Sequence, residues 1–180
     1  MTTCIAFLRG INVGGKNRLP MKDLSLIFEA AGCDNVRTYI QSGNVVFNSP
    51  AMDASDLAVR VKKEIETRHG FTPPIFLLRP DELREVVGSN PYPEAVSEPK
   101  SLHLVFLDEV PQGTHLDSLN ELRSDRESFL LVGKTLFIHA PDGIARSKLF
   151  NGVEKVLQVT TTARNWRTVA NVLELASEIE

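Results

Sequence analysis

The stretch Val36-Arg-Thr-Tyr-Ile-Gln-Ser-Gly-Asn-Val-Val-Phe-Asn48 decides how this chain folds. Two β-rich runs flank the tripeptide Ser42-Gly43-Asn44, and this arrangement predicts a β-hairpin. A hairpin joins antiparallel strands, whereas parallel neighbours need a long crossover between them. The stretch therefore predicts an antiparallel sheet with a polar hairpin tip at one of its edges.

Outward from this hairpin, residues 1–80 follow the order β-α-β-β-α-β. Thr3–Arg9 and Pro74–Leu78 are short apolar runs that predict the first and the last strand. One helix is predicted to begin at Pro20, a residue favoured at the first helical position, and a second covers Asp56–His69, where apolar residues recur at helical spacing. This order is the split unit of the ferredoxin-like fold.

The same order returns in the second half of the chain. Residues 81–99 contain a short helix and the turn-forming segment Asn90-Pro91-Tyr92-Pro93, which predicts a linker. In residues 100–180 a strand, a helix, a hairpin around Gly133-Lys134, a second helix and a last strand at Val159–Thr162 precede a terminal helix that begins at Arg164. We predict an α+β protein of two tandem ferredoxin-like (βαββαβ) subdomains with antiparallel sheets, 1–80 and 100–180, the second including the C-terminal helix.

The composition limits the function classes. Of the 180 residues, 42% are hydrophobic and 24% charged, which is ordinary for a globular protein. Twenty basic and 23 acidic residues give a net charge of -3, so any attraction to anions must be local. The apolar run near the N-terminus is too short for a signal peptide and no stretch is long enough to span a membrane, which predicts a cytoplasmic protein without a membrane partner.

One short motif suggests a nucleotide-binding loop. Gly10–Asn17 fits the pattern G-x-x-x-x-G-K, but Asn17 replaces the Ser or Thr whose hydroxyl would bind Mg²⁺. The following helix is predicted to begin only at Pro20, so Lys16 lies outside its first turn. We reject the nucleoside-triphosphatase interpretation, because that fold also needs a mostly parallel sheet.

Neither the histidines nor the cysteines predict a metal site. The four histidines lack metal-ligand spacing, and Cys4 and Cys33 form no C-x-x-C pair, so both cysteines are expected to be small core residues. No catalytic residue stands out, although a triad assembled in space stays open. We predict no cofactor and no metal.

The predicted topology gathers the polar loops at two sheet edges. In the first half, the loop after the first strand and the hairpin tip leave the sheet at the same edge, since the first and second strands run in the same direction. We call this group the upper-edge cluster: Asn12, Lys16, Asn17, Gln41, Ser42 and Asn44. In the second half, two helices begin at the opposite edge, where their free N–H groups favour anions. We call this group the lower-edge cluster: Arg146, Ser147, Lys148, Thr162, Arg164, Asn165 and Trp166.

Several segments carry a family resemblance across nearly the whole chain. Leu8-Arg-Gly-Ile-Asn-Val-Gly-Gly-Lys-Asn17, Tyr39-Ile-Gln-Ser-Gly-Asn-Val-Val-Phe47, Ser147-Lys-Leu149 and Thr161-Thr-Ala-Arg-Asn-Trp-Arg-Thr-Val169 resemble the signature segments of the bacterial Domain of Unknown Function 1697 family. The family usually runs Thr-Thr-Arg-Asn-Trp, whereas Ala163 intervenes here. The resemblance implies two ferredoxin-like subdomains and no known activity.

Three functions stay open from the sequence. The first is a binding protein for a small anionic ligand that bears phosphate or carboxylate, held by basic residues of the two clusters. The second is an enzyme with its site in a cleft between the two halves. The third is a module that binds protein or single-stranded nucleic acid; nucleic acid is the less favoured partner, because no single strand carries the basic-aromatic signature of RNA-binding sheets. We expect a monomer or a weak homodimer.

Overall fold

The computed structural model describes residues 1–50, 54–111 and 115–180. Within these ranges, eight strands form two four-stranded antiparallel sheets, and six α-helices include one at the C-terminus, which confirms the predicted α+β class. The first half contains β1 (Thr2–Leu8), α1 (Met21–Ala30), β2 (Asp34–Tyr39), β3 (Asn44–Ser49), α2 (Ala54–His69) and β4 (Ile75–Leu78). The second half contains β5 (Leu102–Leu107), α4 (His115–Leu122), β6 (Ser128–Val132), β7 (Thr135–His139), α5 (Lys148–Leu157), β8 (Thr161–Asn165) and α6 (Trp166–Ser177). Between them lie α3 (Pro80–Gly88) and a 3₁₀ helix (Pro93–Ser97).

The first sheet has the strand order β2-β3-β1-β4, with β1 antiparallel to both of its neighbours. Side chains alternate between the faces of a strand, so Ala6 and Leu8 point to the same face. That face packs into a core with residues of α1 and α2, such as Phe28 and Val61. Apolar residues at helical spacing in the helices and alternate residues of the strands therefore meet in one core.

The second sheet repeats this plan with the order β6-β7-β5-β8. Val105 and Leu107 of β5 lie on the face that packs against helices α4 and α5, where Leu119 and Val153 complete the core. The hairpin of β6 and β7 is regular, and its register runs from Ser128 opposite His139 to Val132 opposite Thr135. Both halves thus use the same strand order to bury one face of their sheet under two helices.

The chain separates into two compact units, and their bounds differ from the division expected from the sequence. Unit 1 comprises Met1–Glu85 and Ala170–Glu180, and unit 2 comprises Val86–Val169. The sequence-based division placed the whole C-terminal helix with the second half. The C-terminal segment belongs to unit 1 because it contacts strands of the first sheet. The Asn48 amide donates to the Ile179 carbonyl at 3.2 Å, and Arg37 pairs with Glu178.

Strand β8 begins and ends later than the sequence predicts. Val159–Thr162 was expected to be the strand because it is rich in β-branched residues, but the strand covers Thr161–Asn165. Its register is set by β5, which pairs with it from Leu107 opposite Thr161 to His103 opposite Asn165. Val159 instead packs in the core. The expectation that the terminal helix begins at Arg164 is therefore wrong, and α6 begins at Trp166.

In the parts of the chain that the structure describes, no helix combines the length and the apolar character needed to cross a bilayer.

Candidate functional site

The loop after β1 is a small β-hairpin. The Lys16 N–H donates to the Val13 carbonyl at 3.0 Å, and the Asn12 N–H donates to the Asn17 carbonyl at 3.0 Å. The two residues between Val13 and Lys16 are glycines with φ of 57° and 76°, and a two-residue type I′ turn requires positive φ at both positions. The glycines of this motif therefore shape a turn in an antiparallel arrangement, in agreement with the rejection of a nucleotide-binding loop.

The Asn12 side chain ties this loop to the next hairpin. Its Nδ2 donates to the Leu19 carbonyl at 2.8 Å and to the Gln41 carbonyl at 2.9 Å, and its Oδ1 accepts from the Leu19 N–H at 2.8 Å. The predicted proximity of the two loops is confirmed by the bond to Gln41. Both amide protons of Asn12 are occupied by the backbone, so Asn12 holds the loop in place.

The other two asparagines of the upper-edge cluster act in the same way. Asn17 Nδ2 donates to the Gly10 carbonyl at 3.0 Å. The side chain of Asn44 is fully buried, and its Nδ2 donates to the Tyr39 carbonyl and the Ser42 hydroxyl, each at 3.0 Å. These amides satisfy backbone and hydroxyl groups that the tight turns leave without a partner in the sheet.

Gly43 is required at the hairpin tip for two reasons. Its φ is 75°, a conformation that side chains with a β-carbon rarely adopt. A β-carbon there would also lie 2.7 Å from Ile11 Cδ1 and 2.9 Å from Leu8 Cβ. The hairpin tip thus packs directly on the end of β1, where the Leu8 N–H donates to the Gly43 carbonyl at 2.8 Å.

A cavity of about 700 Å³ opens at the lower edge of unit 2. It lies between the end of α4 and the beginning of α5, beneath the loops that precede β6 and follow β7. Its lining includes three residues of the lower-edge cluster, Arg146, Ser147 and Lys148. The remaining lining residues are Glu121, Leu122, Arg123, Ser124, Glu127, Asp142, Gly143 and Ala145.

Hydrogen bonds and one ion pair hold the frame of this cavity. Arg126 pairs with Asp142 at 2.7 Å and joins the two loops. Glu127 accepts from the Ser124 N–H at 2.8 Å through its carboxylate, while its carbonyl accepts from Arg123 Nη1 at 2.9 Å. The loop before β6 is therefore held by its own hydrogen bonds and forms one wall of the cavity.

Ser147 begins α5 as its N-cap. Its hydroxyl accepts from the Phe150 N–H at 2.9 Å, the usual capping interaction three residues into a helix. Burial alone would raise the pKa of Glu127, but hydrogen bonds from the Ser124 N–H and from the hydroxyls of Ser147 and Ser124 outweigh it and lower that pKa. Glu127 is therefore an ionised, buried carboxylate whose hydrogen bonds connect the two loops.

The basic side chains at the mouth of the cavity are different. Arg146 and Lys148 are exposed, and neither has an ion-pair or side-chain hydrogen-bond partner in the described part of the chain. They flank Ser147 on both sides, beside the N–H groups that begin α5. Two positive charges and a helix N-terminus thus face one cavity.

The other four residues of the lower-edge cluster do not line this cavity. Arg164 is only 9% exposed, and its Nη1 donates to Thr162 Oγ1 at 3.0 Å and to the Ala163 carbonyl at 2.8 Å. Burial lowers the pKa of Arg164 to about 10. Asn165 Oδ1 accepts from the Thr168 N–H at 2.9 Å and caps α6, and Trp166 is half-buried as the first residue of that helix.

His103 was not among the site residues predicted from the sequence. It is 7% exposed, and its Nδ1 is buried without a hydrogen-bond partner among the described residues. Its ring lies 5.5 Å from that of Phe150 in the first turn of α5. Burial lowers the pKa of His103 to about 4. A single histidine within the apolar run of β5 was the available signal.

Metal and thiol chemistry find little support in the described residues. In these residues no group of three or more His, Cys, Asp or Glu side chains is arranged to hold a metal ion. Both cysteines are free, and burial is the main cause that raises the pKa of each, to about 11 for Cys33. Cys33 lies in the first core as predicted, and Cys4 packs partly buried against it.

Comparisons with known proteins give a family and a fold. A family model described as "Protein of unknown function (DUF1697)" matches residues 1–137. No curated protein matches the chain. Among solved structures, the conserved bacterial protein SP0830 from Streptococcus pneumoniae is similar, with a TM-score of 0.68 and 22% identity over 97% of this chain and 98% of that one. At this identity the likeness shows the fold alone.

Proposed function

The chain belongs to the family described as Protein of unknown function (DUF1697), and from that premise we propose that it binds a small anionic ligand that bears phosphate or carboxylate. The observation that carries the proposal is the cavity of about 700 Å³ in unit 2, with Arg146 and Lys148 at its mouth and without partners in the described part of the chain. A volume of this size is in the range of small-molecule sites, roughly 300–1,000 Å³.

The chemistry at the beginning of α5 suits an anion. A helix N-terminus carries partial positive charge and N–H groups without intrahelical partners. Ser147 satisfies the N–H of Phe150, which leaves the N–H groups of Lys148 and Leu149 outside the capping bond. Arg146 adds a planar donor group that matches phosphate and carboxylate oxygens, and Lys148 adds a mobile charge.

The remaining residues of the two clusters take supporting roles in this proposal. Asn165 caps α6, and Arg164 with Thr162 forms a buried hydrogen-bonded pair. The asparagines of the upper-edge cluster hold turns. The ligand would therefore contact Arg146, Lys148 and the first N–H groups of α5. Ser147 caps that helix, and the other predicted residues shape the edges of the two sheets.

We also infer that both halves are ferredoxin-like and that the protein is cytoplasmic. The first inference is supported by the strand orders β2-β3-β1-β4 and β6-β7-β5-β8, in which the first strand of each half is central. The second is supported by two free cysteines, since reducing compartments keep thiols unpaired.

The test is titration calorimetry of the full chain with inorganic phosphate, sugar phosphates and dicarboxylates at low salt. We expect at least one anion to bind, with an affinity that falls as salt is raised. Lys148→Gln should weaken binding about tenfold, the value of one charge-assisted hydrogen bond. Lys63→Gln removes the same charge from an exposed position of α2 and should change nothing. An absence of binding across the panel contradicts the proposal.

A further inference from the structure

The charges that line the cavity fall into two groups. Arg123, Glu127 and Asp142 are bound to neighbouring loop residues and build the frame. A second group has no ion-pair or side-chain hydrogen-bond partner in the described residues: Glu121, Arg146 and Lys148. This second group is available to a ligand, and it contains both signs of charge.

The two signs come from two different helices that line the cavity. Glu121 lies in the last turn of α4, and Arg146 and Lys148 flank the beginning of α5. The last residue of α4 packs against the middle of α5, where a β-carbon at Gly152 would lie only 2.6 Å from Leu122 Cδ1. The C-terminal end of a helix carries partial negative charge and its N-terminal end partial positive charge. The end of α4 therefore adds to the negative charge of Glu121, and the beginning of α5 adds to the positive charge of Arg146 and Lys148.

From this polarity, and on the premise that the proposed anion site is correct, we propose that the ligand is an amino-bearing anion. Its anionic group would face Arg146, Lys148 and the beginning of α5, and its ammonium group would face Glu121. A phosphate monoester with one ammonium group fits the charge balance: the phosphate carries nearly two negative charges at neutral pH, so the ligand has a net charge of about -1. The three free side chains sum to +1, from two basic residues and one acidic residue.

The same arrangement provides specificity. A plain phosphate or carboxylate would be repelled by Glu121, whereas an ammonium group converts that repulsion into attraction. Glu121 is exposed, so its effect is that of a partly screened charge, about fivefold in affinity for each class of ligand. Glu121 is thus the residue that would distinguish amino-bearing anions from simple anions.

The experiment compares O-phosphoethanolamine with ethyl phosphate, which share the phosphate ester and differ by the ammonium group. Titration calorimetry of the full chain at pH 7.5 and low salt should show tighter binding of O-phosphoethanolamine by about fivefold or more. Glu121→Gln should abolish this preference and strengthen the binding of ethyl phosphate. Glu66→Gln, an exposed carboxylate of α2, is the matched control and should leave the preference unchanged.

Each outcome separates this inference from the proposed function. If both compounds bind with equal affinity to the wild type, the anion site stands and the inference is wrong. A preference that survives Glu121→Gln also overturns it, because another group must then recognise the ammonium. If neither compound nor any other anion binds, the proposed function itself fails and the inference fails with it. Circular dichroism of each variant serves as the check that its fold is retained.

Discussion

The polar loops at the upper edge of unit 1 and at the lower edge of unit 2 can be compared directly, because both extend from sheets with the same strand order. Both carry polar, glycine-containing segments that look alike as sequence. At the upper edge the amides of Asn12 and Asn44 are bound to backbone carbonyls within the loops. At the lower edge Arg146 and Lys148 line a cavity, and neither side chain has an ion-pair or hydrogen-bond partner in the described residues. A polar segment is therefore informative about binding only when its groups are not already engaged in holding the chain.

The largest expected effect is on stability and tests the structural role of the upper edge. Gly43→Ala should lower the free energy of unfolding by about 2–5 kcal/mol, because the left-handed conformation costs about 1–2 kcal/mol and overpacking about 1–3 kcal/mol. Gly14→Ala is the matched control, since it also has positive φ but nothing within 4 Å of the added β-carbon. It should lose only the conformational part. Urea unfolding measures both, and equal losses would contradict the close packing at the hairpin tip.

The next effect concerns the core beneath the lower edge. The folded protein keeps His103 neutral down to a pKa of about 4, while the unfolded chain protonates it near 6.5. The depressed pKa means that stability is full above pH 6.5 and falls as the pH drops towards 4, by about 3 kcal/mol in total. His103→Phe should remove this part of the pH dependence. Urea unfolding at several pH values tests it; an unchanged slope in the variant would show that other groups are responsible.

A smaller effect distinguishes structural from ligand-facing polar residues. Asn12→Gly keeps a residue that tolerates the observed φ of 55° but removes three hydrogen bonds, so we expect a loss of about 2 kcal/mol in unfolding free energy. Anion binding should not change. Thermal unfolding and calorimetry together test this. Weakened anion binding without loss of stability would mean that Asn12 contacts the ligand instead of holding the loop.

The smallest expected effect on stability is at the cavity mouth. Arg146→Gln should change the free energy of unfolding by less than about 0.5 kcal/mol, as is usual for an exposed residue that has no ion-pair or side-chain hydrogen-bond partner among the described residues. It should nevertheless weaken the binding of phosphate. A large loss of stability, measured by urea unfolding, would mean that Arg146 supports the fold in the way the upper-edge asparagines do.

The sequence was sufficient for most of the fold because its signals are local. The hairpin around Gly43 and the helices follow from alternation, helical spacing and turn residues within short windows. Strand β8 was misplaced because its bounds depend on pairing with β5, more than 50 residues away in the chain, as the register of Leu107 with Thr161 illustrates. That pairing also places Arg164 inside a strand, where it is buried.

The candidate site was predictable only in part for the same reason. Arg146, Ser147 and Lys148 could be located at a helix start from local spacing. The opposite wall, with Glu121 and Glu127, comes from a segment about twenty residues earlier, and no local pattern connects the two. His103 likewise could not be singled out from its own strand, because its ring contacts Phe150 of α5 and the absence of a partner for its Nδ1 among the described residues depends on packing.

The most direct test of the central claim is an NMR titration of the ¹⁵N-labelled full chain with inorganic phosphate, followed by amide chemical shifts. The account predicts that the largest shifts occur at Arg146–Leu149 and in the facing loop at Glu121–Ser124, and that Lys148→Gln diminishes them. It predicts small shifts for Gly10–Asn17 and Ile40–Asn44. Shifts concentrated in those upper-edge segments, with the lower edge unaffected, would contradict it.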